Sequence, residues 1–342
     1  MLRGVMAGCA CLFAGWAIAQ APRPVLPQVA HEFGKALENL RDYAVVLEPD
    51  KNEPEWWAGA PSVARGKDGL FWMACRMRMA EAPRGRRGYE IRILRSADGV
   101  HFEKALSIRR EDVPIPGFER PALVNDPHTG RFKLYACGPW RDGPWSIIKF
   151  ADADTPDTID PASAYPVIQP LPKTYDRDVI PVEYKDPFIL HTAGTYHCYV
   201  IGYVRQNEKI FHFQSVDGEK WDPVGNPYEA VMPLDGWHDF FVRPACVVPI
   251  GLGWLFVYEG SSAGWYDPVY NIATGLGFTF DLHRVTDLTP QSPLLVSSTP
   301  GDRFATFRYS HWLMIDGRLW IYAEVARPNL THEIRLYRVP IS

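Results

Sequence analysis

The sequence predicts an all-β chain, a single-domain β-propeller of five blades. Two observations predict it: a strand pattern that recurs five times, and a turn signal ahead of every recurrence. The recurring runs begin at Leu70, Phe132, Thr195, Trp254 and Arg318, so successive starts differ by 62, 63, 59 and 64 residues. Each is a short apolar run closing near a Tyr, Cys or Glu, as in Leu70-Phe71-Trp72-Met73-Ala74-Cys75 and Trp254-Leu255-Phe256-Val257-Tyr258. Ahead of them stand Lys67-Asp68-Gly69, His128-Thr129-Gly130, Ala193-Gly194, Gly251-Leu252-Gly253 and Asp316-Gly317. Repetition on this scale in a strand-rich chain denotes a radial array of small sheets. Such an array gathers the first residues of every inner strand around one axial pocket.

Composition fits one large β domain. The 342 residues are 46% hydrophobic and 22% charged, with 12 Trp, 16 Tyr and 17 Phe. Aromatic residues favour strands, and most are expected between blades, with some free to stack on sugars. The net charge of −4 gives no sign of a nucleic-acid or membrane-surface partner.

The N-terminus reads as a secretory signal peptide over residues 1–19. Arg3 supplies the charge, residues 4–17 the apolar stretch, and Ala17-Ile18-Ala19 the small-residue cleavage site. The stretch is too short for a membrane span, so the mature chain is expected to be secreted or periplasmic. Residues 20–41 read as a Pro-rich lead with a short helix, and residues 42–342 as the propeller. Of the six cysteines, Cys75, Cys137, Cys198 and Cys246 follow the leader and are expected as buried free thiols. The absence of Cys-x-x-Cys and His-Glu-x-x-His leaves no zinc signature. No cofactor is expected. A structural calcium or sodium in the central channel is compatible with the architecture, although no ligand loop is visible.

Along the chain, Tyr43-Ala44-Val45-Val46-Leu47 is expected to supply the missing outer strand of the last blade, closing the ring and hiding two sheet edges. Inner strands are expected to open at proline: Ala60-Pro61, Arg120-Pro121, Asp186-Pro187 and Arg243-Pro244, with Arg308 standing where Arg243 does. Third strands such as 89–94, 209–213 and 332–337 follow. Two of them run into Ser96-Ala97-Asp98-Gly99 and Ser215-Val216-Asp217-Gly218, turns capped by Phe102 and Trp221. These are structural: Ser and Asp side chains bond the turn backbone and glycine takes positive φ.

This pattern resembles the five-bladed β-propeller glycoside hydrolases, the families numbered 43, 62, 32, 68, 117 and 130. The segment 270–281, followed by Leu288-Thr289-Pro290 and Pro293-Leu294, looks most like family 130, which holds both mannoside phosphorylases and hydrolases. In family 43 the base is an Asp before proline in the first blade. Here that place is Ala60, and only the third blade keeps Asp-Pro, at Asp186. The resemblance implies an axial funnel with carboxylic acids at the blade-strand starts.

Side chains expected at the funnel are Ala60, Glu119, Arg120, Lys185, Asp186, Arg243 and Arg308 from strand starts. Arg76, Arg78, Tyr203, Arg205, Glu259 and Glu324 follow second strands, and Glu55, Trp56, Trp57, Trp237, His238 and Asp239 enter inner strands. Glycoside cleavage needs two carboxyls, an acid and a base or nucleophile. The candidates are Asp186 as base or nucleophile and Glu259 as acid, with Glu119 as a third. Arg120, Arg243 and Arg308, read as equivalent positions, suggest an anionic substrate group. His238 and His311 would donate to the same anion or to hydroxyls, and Trp57, Trp237 and Trp265 would form a stacking wall. The leading expectation is an exported, exo-acting glycoside hydrolase with a carbohydrate substrate. A phosphorylase, a sialidase-like hydrolase using an arginine triad, and a non-catalytic sugar-binding propeller are the alternatives. Oligomeric state is not written in the sequence.

Overall fold

A computed structural model describes residue 37 and residues 40–170, 180–296 and 306–340. The leader therefore lies outside the described residues, as does most of the lead segment. Among the described residues no helix is long and apolar enough to cross a membrane.

The structure is all-β, and its strands follow one another as antiparallel meanders. Strand β1 (Tyr43–Leu47) stands apart at the start. The first meander is β2 (Trp57–Arg65), β3 (Phe71–Arg78), β4 (Gly88–Ser96) and β5 (Glu103–Arg109). The second is β6 (Ala122–Asn125), β7 (Phe132–Pro139), β8 (Trp145–Lys149) and β9 (Tyr165–Ile168). The third is β10 (Tyr184–Thr192), β11 (Thr195–Val204), β12 (Asn207–Ser215) and β13 (Asp222–Pro223). The fourth is β14 (Phe241–Pro249), β15 (Trp254–Ser261), β16 (Ala273–Thr279) and β17 (Thr286–Asp287). The last is β18 (Phe307–Ile315), β19 (Arg318–Ala326) and β20 (His332–Pro340), completed by β1, which pairs with β20. The two ends of the described chain thus share one sheet, as the 43–47 run predicts.

The first strands β2, β6, β10, β14 and β18 touch in cyclic order, with β18 returning to β2. This arrangement is propeller-like. Apolar residues fill the spaces between meanders: Trp72, Ile93 and Ile108 of the first pack with Leu134, Ile148 and Phe150 near the second. Each such buried side chain contributes about 1.5–3 kcal/mol. The four cysteines are free and buried, acting as small apolar residues.

Tyrosines on second strands latch neighbouring meanders together. Tyr322 donates its hydroxyl to the carbonyl of Gly99 at 2.7 Å, and Tyr135 to that of Gly218 at 2.8 Å. Tyr199 does the same to Leu282. The acceptor turns are built as read from sequence. Ser96 and Asp98 bond the backbone of 98–101, Ser215 and Asp217 bond that of 217–220, and Phe102 and Trp221 pack edge-on against Tyr322 and Tyr135. Tyr135→Phe leaves a buried carbonyl without its donor and is expected to cost about 1–2 kcal/mol, measured by urea unfolding.

The inner strands differ from expectation in one respect. Proline does not open all of them: Pro121 directly precedes β6, but Pro244 lies within β14. Pro61 and Pro187 sit inside β2 and β10, at register shifts between Gly59 and Ser62 and between Lys185 and Phe188. A bulge needs no ladder N–H at that point, so proline fits there as well as at a strand start. The residues before these prolines, Ala60 and Asp186, have φ of 52° and 53°, and Tyr309 at the matching shift in β18 has 51°.

Candidate active site

The bulges set the register at the axis. Gly59 pairs with Arg76, Lys185 with Ile201, Arg243 with Glu259 and Arg308 with Glu324. In the second meander Glu119 donates its N–H to the carbonyl of Cys137 at 3.2 Å. The row that holds Arg243 and Arg308 therefore contains Glu119, not Arg120. Arg120 falls in the next row, with Ala60, Asp186, Pro244 and Tyr309. Reading every X-Pro pair as equivalent misplaces Arg120 by one residue, because in β14 the proline itself holds the bulge position. Gly59 has no side chain for a physical reason: a Cβ there would stand 1.8 Å from Oε2 of Glu324.

Several of these groups bridge meanders across the axis. Asp186 Oδ2 accepts the Tyr309 hydroxyl at 2.8 Å, and Oδ1 accepts the Arg120 N–H at 3.1 Å. The Cys137 thiol approaches the same Oδ1 at 3.6 Å. Arg120 spends its fork on the carbonyls of Pro244 and Ala245, at 2.7 and 2.6 Å. Glu324, with no exposure, accepts from Arg308 at 2.7 Å, Arg76 at 3.1 Å, the Ala60 N–H at 3.0 Å and His332 at 2.6 Å. Arg76 also pairs with Glu119.

Above this floor lies an open cavity of about 280 Å³. Its acidic lining is Glu119, Asp186 and Glu208; its basic lining is Arg78, Arg84, Lys185, Arg243 and Arg308. Tyr309, Tyr270 and Trp145 complete the aromatic part. Glu208 pairs with Arg243 and, at 3.2 Å, with Lys185. Burial acts to raise its pKa, but the two cations outweigh burial and hold it below the usual carboxylate range.

The structure thus brings Asp186, Glu119, Lys185, Arg78, Arg243 and Arg308 together at the cavity, while Glu259, Arg120, His238, His311, Trp57, Trp237 and Trp265 are not part of its lining. Glu259 is fully buried and does not line the cavity. Its Oε1 accepts the Ser310 N–H at 3.2 Å, while Oε2 has no partner among the described residues. Burial pushes its pKa up to about 7 against the opposing pull of Arg120, Arg243 and Arg308. Its pKa suits an acid, but its position does not. His238 is tied to Asp287 at 3.0 Å. His311 packs on Phe188, and burial brings its pKa down to about 3. Trp57 is enclosed between the His332 ring, stacked at 3.9 Å, and the Arg78 guanidinium. Trp237 stacks on Trp265 and donates to the Thr289 carbonyl at 2.7 Å. None of these three tryptophans lines the cavity; Trp145 does.

Glu208, Tyr309, Arg84, Tyr270 and Trp145 were not among the expected site residues. Tyr309 had a signal. It and Asp186 each stand nine residues before a second strand, at 318 and 195. Glu208 is the second residue of β12, as Glu333 is of β20, and Glu90 is the third of β4. Among the described residues no group of three His, Cys, Asp or Glu is arranged to hold a metal.

Glu259 yields a pH prediction. Its folded pKa lies above the unfolded value of about 4.3, so its contribution is intact below that pH and lost as pH rises toward 7. Glu259→Gln does not titrate. Relative to wild type its stability is expected to rise from near parity at pH 4 to a gain of about 3 kcal/mol above pH 7. Denaturant unfolding across that range checks this, and turnover should stay close to wild type.

No protein-family model matches the chain, and no curated protein matches its sequence. Solved structures share the fold. One described as a glycoside hydrolase has a TM-score of 0.67 at 15% identity, covering 92% of this chain and 96% of that one. The β-1,2-mannobiose phosphorylase of Listeria innocua, in complex with β-1,2-mannobiose, has a TM-score of 0.61 at 14% identity, covering 86% and 94%. A third comes from work on GH130 mannoside phosphorylases, a family said to contain hydrolases of β-1,2 mannosidic linkages in Candida mannan. Its TM-score is 0.61 at 16% identity, with 88% and 96% covered. The resemblance read from the blade motifs is therefore a likeness of fold to family 130 and related glycoside hydrolases. At such identities fold is what is shared.

Proposed function

We propose that the chain is an exported glycoside hydrolase, a five-bladed propeller over residues 42–342 that works in the periplasm or outside the cell. The observation that carries the reading is the axial cavity, where Asp186 and Glu119 line one pocket within a fold shared with glycoside hydrolases. Asp186 is the base or nucleophile: two donors, the Arg120 N–H and the Tyr309 hydroxyl, fix the positions of its oxygens. Glu119 is the acid. Glu259 does not reach the cavity and Glu208 is buried between two cations, Lys185 and Arg243, whereas Glu119 meets one, Arg76, and is partly exposed; this favours Glu119 as the group that protonates the leaving oxygen. Trp145 offers the sugar a stacking face in place of Trp57, Trp237 and Trp265. A cavity of about 280 Å³ suits a chain end, which supports exo action.

The sialidase-like alternative is not favoured. Its three arginines would have to converge on one point, but Arg120 is bound to main-chain carbonyls, Arg243 to Glu208 and Arg308 to Glu324. Incubation with chromogenic glycosides and with plant, algal and bacterial polysaccharides tests the proposal. Release of reducing ends is expected from at least one. Glycan binding without release from any of them identifies a sugar-binding propeller instead.

A further inference from the structure

Arg78 is a buried cation of the cavity for which no carboxylate partner stands among the described residues. Arg308 is balanced by Glu324, while Arg243 and Lys185 share Glu208. The Arg78 side chain is 5% exposed, yet no carboxylate stands within ion-pair distance among the described residues, and its Nε has no partner. Two contacts hold it: a hydrogen bond to the Tyr270 hydroxyl at 3.3 Å, and stacking on Trp57 with Cζ 3.6 Å from the ring centre. Burial, reinforced by the like charge of Arg76, brings its pKa down to about 9. An unpaired buried cation is costly, and a ligand that supplies the counter-charge removes the cost. Arg84, on the exposed loop after β3, places a second guanidinium 4.9 Å from the centre of the Tyr270 ring, and Arg78 lies 5.6 Å from it. Both line the cavity that holds Asp186.

We propose that Arg78 and Arg84 form an oxyanion subsite of this cavity, which takes the carboxylate or sulfate of an acidic sugar residue. Guanidinium forks match such groups with paired, charge-assisted hydrogen bonds, whereas a neutral sugar offers them only hydroxyls. The inference rests on the glycosidase reading for the saccharide that carries the anion. It moves the anion from the arginine row read in the sequence to a different pair, because the forks of that row are already used.

Calorimetric titration of the full chain tests it, with D-glucuronate, D-galacturonate and glucose 6-sulfate set against glucose, galactose and inorganic phosphate. At least one acidic sugar is expected to bind about tenfold or more tighter than its neutral counterpart, or about 1.4 kcal/mol. Whether a uronate or the sulfate prevails identifies the group. Arg78→Gln should abolish the preference and Arg78→Lys should keep part of it. Arg84→Gln, at an exposed site that leaves folding untouched, should weaken binding several-fold. Equal binding of acidic and neutral sugars overturns the subsite. So does a preference that survives in both Gln variants, or phosphate binding as tight as that of the best acidic sugar. Asp186→Asn separates the two ideas, because it should bind acidic sugars as wild type does. Cleavage of neutral glycosides without acidic preference removes the subsite alone. Acidic-sugar binding with no glycoside cleaved removes the hydrolase reading alone.

Discussion

Asp186→Asn is expected to lower kcat by about three orders of magnitude on any glycoside the wild type cleaves, with little change in KM. In the proposed mechanism the substitution removes the carboxyl oxygen that attacks the anomeric carbon or activates water, and it keeps the shape of the side chain. The fold should tolerate it. Asp186 has a φ of 53°, and Asn is among the few residues that accept that conformation readily. The amide must still choose between its two donors. Its oxygen satisfies either the Arg120 N–H or the Tyr309 hydroxyl, so a stability loss of about 1–2 kcal/mol is expected. A rate assay beside a denaturant melt distinguishes lost chemistry from lost structure. A variant that turns over at the wild-type rate ends the assignment.

Glu324→Gln is expected to cost about 3–5 kcal/mol of folding stability, because Glu324 is the counter-charge for two buried guanidinium groups. Burial alone would raise its pKa, but Arg308, Arg76 and His332 outweigh burial and hold it well below the usual range. A depressed carboxylate contributes stability that is fully present above the unfolded pKa of about 4.3 and is lost as pH falls toward the folded value. The gap between wild type and Glu324→Gln should therefore be widest at neutral pH and narrow below about pH 4. Denaturant unfolding over pH 3–7 measures it. A gap independent of pH would mean that the carboxylate charge contributes little.

The same residues explain what the sequence does and does not disclose. The recurring meanders are legible because each hairpin is local: an apolar run, a turn signal, and a partner a few residues away. The 43–47 strand is legible because a last sheet without it would leave an open edge. The buried thiols and the Ser-x-Asp-Gly turns follow from residue type and spacing alone. Register at the axis is not legible in this way. A bulge moves the count by one residue, which puts Glu119 rather than Arg120 beside Arg243 and Arg308. Glu208 is hidden because its partners, Lys185 and Arg243, come from two other strands, one of them in the next meander. Trp57 and Trp237 have the composition of sugar platforms, but His332, Arg78 and Trp265 cover their faces. Burial of that kind depends on the whole ring.

The most direct test of the central claim, hydrolysis at the axial cavity through Asp186, is to run the best substrate in ¹⁸O-labelled water, with and without inorganic phosphate. Mass spectra of the released sugar are expected to show one labelled oxygen whether or not phosphate is present, and Asp186→Asn should release none. A sugar phosphate as product, or labelled sugar released at full rate by Asp186→Asn, would contradict it.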